Sequence, residues 1–413
     1  MSEKPIVVIG AGIVGVSTAI WLRRMGKEVV VVDRGEVGMG TSYGNGGVLA
    51  SCGMVPVTSP GLGRKGPVLL FDREFPLFLR WTYLPKLALW LRKYMSHAND
   101  ADTRRIAKGL TVITGDSVEQ HEALARGTSA ENWLQQGDYT FAYKDREAFE
   151  ADAYTWGLRK EAGFTPEIIE GAAVQEYEPS LGSATKLLAV MKGHGHIRAP
   201  GAYVQALAEV LKEEGGEVQQ AEVKDFELVN GRIRAVLTDQ GRMECETAVV
   251  TTGVWSKPLM KKLGLNVPLE SERGYHVVFK NPSQTLRQPL MIAAGKFVAT
   301  PMEDGLRCAG IVEFGGLKAG PSKAPLEFLY RKVKENFPDL TYSEAEEWQG
   351  HRPAPADSLP LIGEINGTGV FAGFGHHHIG LTGGPKTGRI LAELIAEKGS
   401  NQDLSAFDPQ RFA

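Results

Sequence analysis

The sequence predicts an α/β fold in which a Rossmann-type nucleotide-binding unit is interleaved with mixed α/β material. Three observations carry this. A strand, glycine turn, helix and second strand open the chain over residues 5–33. A helical segment bounded by Pro385 and Gly399 closes it. Between them lie short strand-like and helical runs, with no long linker, low-complexity tract or internal repeat. The nucleotide-type pattern sits at both ends, so the two units are expected to be interleaved, not consecutive.

Taken in order, "PIVVIG" (5–10) is a buried-strand run. "GIVGVSTAIWLRRMG" then reads as a helix that stops at Gly26, and "KEVVVVD" (27–33) as the next strand. A βαβ start of this kind implies a parallel sheet. In the segment 76–95, Leu84, Leu87, Leu91 and Met95 recur at helical spacing. Arg80, Lys86, Arg92, Lys93 and the internal Pro85 argue against a spanning helix there. Two readings stay open: a core-facing helix with a basic outer face, or a membrane-surface helix with Trp81, Tyr83 and Trp90 beside the basic residues. Residues 199–215 read as an amphipathic helix. Asn230–Gly231 and the run Asp239–Gln240–Gly241 are hairpin signals. Strand-like runs fill 268–316, a helix is expected over 325–338, and the last helix has Pro385 near its start.

The 413 residues suffice for two or three domains and a large core. A net charge of −3 gives no basic excess for nucleic-acid binding. Cys52, Cys245 and Cys308 are few and far apart, which yields neither a disulfide framework nor a zinc pattern and favours a reducing compartment. The N-terminus enters a strand at once and leaves no room for a signal peptide. A cytoplasmic location is therefore expected, with peripheral contact to the inner membrane face through 76–95 as the alternative setting.

The chemistry is carried first by Gly10-Ala11-Gly12-Ile13-Val14-Gly15, a GxGxxG between a strand and a helix. Gly10 permits the tight turn, Gly12 lets a pyrophosphate approach the backbone, and Gly15 lets helix and strand pack closely. The helix N-terminus offers free N–H groups to phosphates. Asp33 ends the second strand where it can accept from a ribose, with Arg34 beside it. This fingerprint suits NAD or FAD. The loop "GMGTSYGNGG" (38–47), with Thr41, Ser42, Asn45, Gly46 and Gly47, suits a large, flat, polar cofactor and tips the choice to FAD.

At this point the chain resembles the D-amino-acid oxidase superfamily of FAD-dependent oxidoreductases, and within it most closely the bacterial D-amino-acid dehydrogenases. The resemblance runs from end to end. It rests on the first fingerprint, the Ser42-x-x-Asn45-x-Gly47 loop, and "VVTTGVWS" (249–256) with Thr252, Gly253 and Trp255. It also rests on "GHRPAPADSLPLIG" (350–363) and "GHHHIGLTGGPKTG" (375–388). It implies a Rossmann-type FAD-binding domain over 1–60, 180–267 and 350–413. Interleaved with it would be an α+β substrate domain over 61–179 and 268–349, built on an antiparallel sheet. By resemblance Val223 meets adenine through its backbone, and Gly375, His376, Gly380, Leu381 and Thr382 end at the flavin. The last helix then points its N-terminus at the flavin N1–C2=O edge, where positive backbone dipoles stabilise the reduced form.

The resemblance also implies oxidative deamination of D-amino acids. Hydride passes from Cα to flavin N5, the imino acid hydrolyses to a 2-oxo acid and ammonia, and the electrons pass to a quinone or other carrier. No obligatory protein acid or base is needed. Arg352 matches the substrate-carboxylate clamp, a task suited to a guanidinium fork. Tyr275 or His276 is expected to line the substrate pocket, but not both, because strand side chains alternate. Relatives place a tyrosine on the substrate carboxylate where this chain has Phe297. No cysteine lies in 350–363, so FAD is expected to be non-covalent. His378 is the candidate specificity residue and His377 a structural one. In an extended segment His376 and His378 would share a face while His377 points away. No convergent ligand set accompanies them, so no metal site is expected. Two alternatives accompany this reading: an oxygen-using oxidase or dehydrogenase of glycine, sarcosine or a cyclic imino acid such as D-proline or hydroxy-D-proline, and a non-catalytic flavin-binding subunit.

Overall fold

The strand Ile6–Ile9 is buried along its whole length and pairs in parallel with Val29–Asp33 on one side and Ala248–Val250 on the other. The computed structural model describes residues 4–62, 72, 74–399 and 401–413. Among these, the six-stranded sheet runs Leu361–Glu364, Val370–Phe374, Ala248–Val250, Ile6–Ile9, Val29–Asp33 and Glu217–Gln220. Its pairings are parallel except for the hairpin between the first two. Val8, Val31 and Val249 bury one face, and Val7, Ile9 and Val250 the other. A parallel sheet covered on both sides explains the unbroken valine runs. Two helices pack together on the first face: Ile13–Arg24, which ends before Gly26 at φ +81, and Gly380–Ile395.

The second sheet has ten strands, and all but two of its pairings are antiparallel. Glu344–Pro355, Leu269–Lys280, Gly305–Phe314 and Phe297–Met302 form the end nearest the nucleotide-type sheet's glycine loop. The fold is thus a parallel α/β unit interleaved with an α+β unit. Leu187–Ile197 pairs within the ten-stranded sheet, so sheet membership moves that segment out of the 180–267 block expected for the nucleotide unit. Asn230 and Gly231, both at positive φ, turn the predicted hairpin between Val223–Val229 and Arg232–Thr238.

The segment 76–95 contains the helix Leu84–Ser96, which buries Leu87, Trp90 and Tyr94 against the ten-stranded sheet. The Trp90 indole donates to the Ala354 carbonyl. Lys86, Leu89, Arg92 and Lys93 face outward. No described helix is long and apolar enough to cross a membrane.

The last helix begins at Gly380, five residues before Pro385, which therefore lies inside it. Proline has no amide to offer the carbonyl four residues back, that of Leu381. His121 fills the gap: its Nε2–H donates to Leu381 O at 2.9 Å, and its Nδ1 accepts from the Tyr203 hydroxyl at 2.9 Å. Burial depresses its pKa to about 4, so the ring is neutral and can do both.

Candidate functional site

A cleft of about 550 Å³ runs from the end of Val29–Asp33 to the start of the last helix. At its near end the helix Ile13–Arg24 has no side-chain cap and no acid in its first turn. Its positive end is thus open to an anion, apart from the Ile13 N–H, which donates to Ser42 Oγ at 3.1 Å. Gly10 holds φ +110, and a Cβ there would press on Thr251. Gly10, Ala11, Gly12, Ile13 and Val14 line the cleft. Gly15 lies beneath, packed on the Gly10 carbonyl.

Asp33 stands at the rim with each carboxylate oxygen held by an amide: Oδ2 by Ala11 N–H at 2.7 Å and Oδ1 by Gly35 N–H at 2.8 Å. Arg34 lies over the Trp255 ring, 4.6 Å from its centroid. Val223, Thr252 and Gly253 complete this end, and Thr41, Ser42 and Asn45 cover the middle. Gly375, His376, His377, Gly380 and Leu381 close the far end. Thr382 turns away, its hydroxyl donating to Val48 O. An uncapped helix end, a fixed carboxylate and a long cleft reaching a second helix N-terminus match the shape and charge of a flavin dinucleotide.

The loop 41–47 is stitched to the ten-stranded sheet through four consecutive carbonyls. Arg307 donates to Tyr43 O at 2.7 Å and to Asn45 O at 3.0 Å; His276 Nδ1–H donates to Gly44 O at 3.1 Å; Thr300 donates to Gly46 O at 2.7 Å. Gly44 and Gly350 leave room for the Trp348 ring, which stacks on His276 at 5.0 Å. Gly46 and Gly47 therefore act at this joint and do not line the cleft. Burial drives His276 down to about pKa 3 and keeps it neutral. Sequence reasoning missed Arg307 and Thr300, because each lies in a strand run whose partner loop is more than 250 residues away.

Arg352 comes from the edge strand Glu344–Pro355, beside the cleft residue Pro353. Its guanidinium lies flat across Gly274, where a Cβ would sit 2.7 Å from Cζ. It donates to the carbonyls of Gly310 and Ile311, where a register shift between Leu269–Lys280 and Gly305–Phe314 turns both toward it. Two of its five N–H groups are thereby used, leaving three.

Tyr275 departs from the expectation that it lines the pocket. Alternation puts Glu272, Gly274 and His276 on the Arg352 face and Tyr275 on the other. There it is 1 % exposed, packs with Phe297, Leu326 and Leu329, and donates from its hydroxyl to Glu313 at 2.5 Å. Glu313 also pairs with the fully buried Arg273 at 2.9 Å. Phe297 is fully buried on the same far face and presents nothing to a carboxylate beside Arg352.

The three histidines do not alternate, because His377–Ile379 is a 3₁₀ turn and not an extended run. His376 is buried, its Nε2 bonded to Thr387 Oγ1 at 2.9 Å, with a pKa pushed to about 3. His377 takes φ +48 and is buried between Glu272 and the Pro355 carbonyl. His378 keeps an exposed side chain, and the neighbouring His377 and Arg352 act to lower its pKa. Among the described residues no group of metal-ligating side chains converges. The buried Glu272 was the other residue missed; its signal was an acid inside the strand-like run "LESERGYHVVF".

The model of the DAO family, described as FAD dependent oxidoreductase, matches residues 5–394. A D-amino-acid oxidase of Bradyrhizobium diazoefficiens is 36% identical over 99% of this chain and 99% of its own length. A D-amino acid dehydrogenase of Helicobacter pylori is 27% identical over 97% of this chain and 96% of its own. Among solved structures, L-proline dehydrogenase from P. horikoshii superposes with a TM-score of 0.74 at 21% identity, covering 99% of this chain and 98% of its own. Glycine oxidase from Bacillus cereus does so at 0.73 and 19%, covering 98% of each chain.

Proposed function

Because the chain belongs to the DAO family of FAD-dependent oxidoreductases, we propose that it oxidises D-amino acids and passes the electrons to a quinone or another carrier. Bound FAD supplies the two-electron acceptor. The substrate loses its α-hydrogen as hydride while the amine lone pair forms C=N, and water then converts the imino acid to a 2-oxo acid and ammonia. The observation that carries this reading is Arg352: a guanidinium pinned to two carbonyls, with three N–H groups left for a carboxylate. Held at two points, it presents the Cα–H in one orientation, and orientation of this kind is worth about 7 kcal/mol in good cases. We assign substrate selection to His378, whose side chain is exposed on the segment next to Arg352.

The carrier reading is supported by the outward face of Leu84–Ser96, where exposed Leu89 sits among Lys86, Arg92 and Lys93. That composition suits peripheral contact with an anionic membrane surface from the cytoplasmic side. A second reading, oxygen as acceptor, is favoured by the 36% identity to a protein named D-amino-acid oxidase. Anaerobic bleaching of the flavin tests the reaction: D-amino acids are expected to bleach it, with glycine, sarcosine and D-proline as the comparison set. If none of these bleaches it, the proposal fails. Hydrogen peroxide on turnover in air without an added acceptor would replace the carrier with oxygen.

Gly274→Ala is the most local test of the arginine's pose. The added methyl has no space beneath the guanidinium and must displace it. Flavin content is expected to stay normal, while KM for the best substrate rises about tenfold, the equivalent of ~1.4 kcal/mol. Steady-state kinetics at matched flavin loading reads the change.

A further inference from the structure

Glu272 carries a carboxylate only 4 % exposed, on the strand next to Arg352 and directly opposite it in register. His377 is 7 % exposed and bridges two groups: Nδ1 lies 3.4 Å from Glu272 Oε2, and Nε2 lies 3.3 Å from the Pro355 carbonyl oxygen. Neither partner has a proton to give. A carbonyl only accepts, and an ionised carboxylate only accepts. With Glu272 ionised, both contacts can act as hydrogen bonds only when both ring nitrogens donate, and an imidazole that donates twice is an imidazolium.

We infer that His377 is a built-in cation of the site, held charged by Glu272 and Pro355 O, and that it leaves the charge of Arg352 free for an anionic ligand beside the cleft. The count of charges explains why. Alone, Glu272 would neutralise Arg352, and a bound carboxylate would leave the buried group with a net negative charge. With His377 charged, the three side chains sum to +1 and a monocarboxylate brings the group to neutrality, which is the favourable arrangement in a poorly solvated site. The depressed pKa of Glu272, caused by His377, Arg352 and His378 against the opposing effect of burial, accords with an ionised carboxylate.

Among the titratable groups around the imidazolium, Glu270 is a second carboxylate, held by partners other than His377. His376, on the same segment, is pushed to low pKa first by its burial and then by His377, and His377 also acts to lower His378. Tyr94, from the helix Leu84–Ser96, is raised well above its ordinary value and stays neutral. Glu270, two residues along the strand, is engaged by the Tyr83 hydroxyl at 3.0 Å. His377 also lines the cofactor cleft, so the charge faces whatever occupies it. The left-handed φ of +48 is a conformation that asparagine tolerates, which makes His377→Asn the natural variant.

This inference rests on the reading of Arg352 as a carboxylate clamp, and the test separates the two. Nitrogen-15 NMR of histidine-labelled, flavin-loaded protein at pH 7 is expected to show His377 protonated at both ring nitrogens, and protonated at one only in Glu272→Gln. Propionate, titrated into the oxidised protein by calorimetry, is expected to bind His377→Asn roughly tenfold or more weakly than wild type, as fits one unit charge acting across protein. Arg352→Ala is expected to lose most of its propionate affinity. A singly protonated His377 in the wild-type protein, or unchanged propionate affinity in His377→Asn, would overturn the inference. Unchanged affinity in Arg352→Ala alone would overturn the clamp and leave the charge on His377 standing.

Discussion

Arg352→Ala is expected to raise KM for a D-amino acid about 100-fold or more while FAD remains bound. Hydrogen bonds to charged groups contribute about 1.5–3 kcal/mol each, and a carboxylate held by a guanidinium fork loses two. Arg352 is not among the residues lining the dinucleotide cleft, so flavin content and its visible spectrum should not change. The contacts given up inside the protein are with the Gly310 and Ile311 carbonyls. Arg352→Lys should recover only a small part of the affinity, since an ammonium restores the charge without the planar fork. Initial-rate kinetics on flavin-replete protein measures both, and a KM within threefold of wild type for Arg352→Ala would remove the arginine from the substrate site.

Gly15→Ala should cost the protein its cofactor and much of its stability, and Gly12→Ala should cost it the cofactor alone. A Cβ on Gly15 would collide with the Gly10 carbonyl and come within 2.6 Å of Thr251 Oγ1. Those atoms belong to the turn and the neighbouring strand, so the helix Ile13–Arg24 has to lift off the sheet. The cost should exceed the ~1–3 kcal/mol typical of overpacking, because rigid backbone and not a flexible side chain is in the way. A Cβ on Gly12 meets only Ser42 Oγ at 3.3 Å, and Gly12 already holds an ordinary extended φ. It would nonetheless stand where a pyrophosphate approaches the amides. Thermal unfolding separates the two variants: a large fall in Tm for Gly15→Ala, little change for ligand-free Gly12→Ala, and a low flavin-to-protein ratio in both.

The parts of this fold that were legible are those set by local rules. The valine runs, the glycine spacing and Asp33 specify a strand, a turn and an acid at the cleft rim within 29 residues of continuous chain. Asn230–Gly231 specifies its hairpin through positive φ alone. What failed did so where distant chain decides. Tyr275 was ambiguous because alternation says that neighbours face opposite ways without saying which way is inward; helix Lys323–Asn336 settles that by covering its side. The histidine triplet was assigned an extended backbone, whereas the chain turns there to begin a helix five residues before the proline. Glu272 was invisible as a partner of His377 because 105 residues separate them.

The contact between His121 and the Leu381 carbonyl has a consequence for how such sequences can change. Pro385 withdraws the amide that an unbroken helix would supply, and a histidine 260 residues earlier than that carbonyl takes over as donor. Positions 121 and 385 thus form one unit of constraint although they lie far apart in the chain. A sequence that regains an amide at 385 is released from needing a donor at 121, while one that keeps the proline is not. Substitution histories at the two positions should therefore be linked, and a chain grafted from two relatives across this contact inherits either one donor too many or one too few.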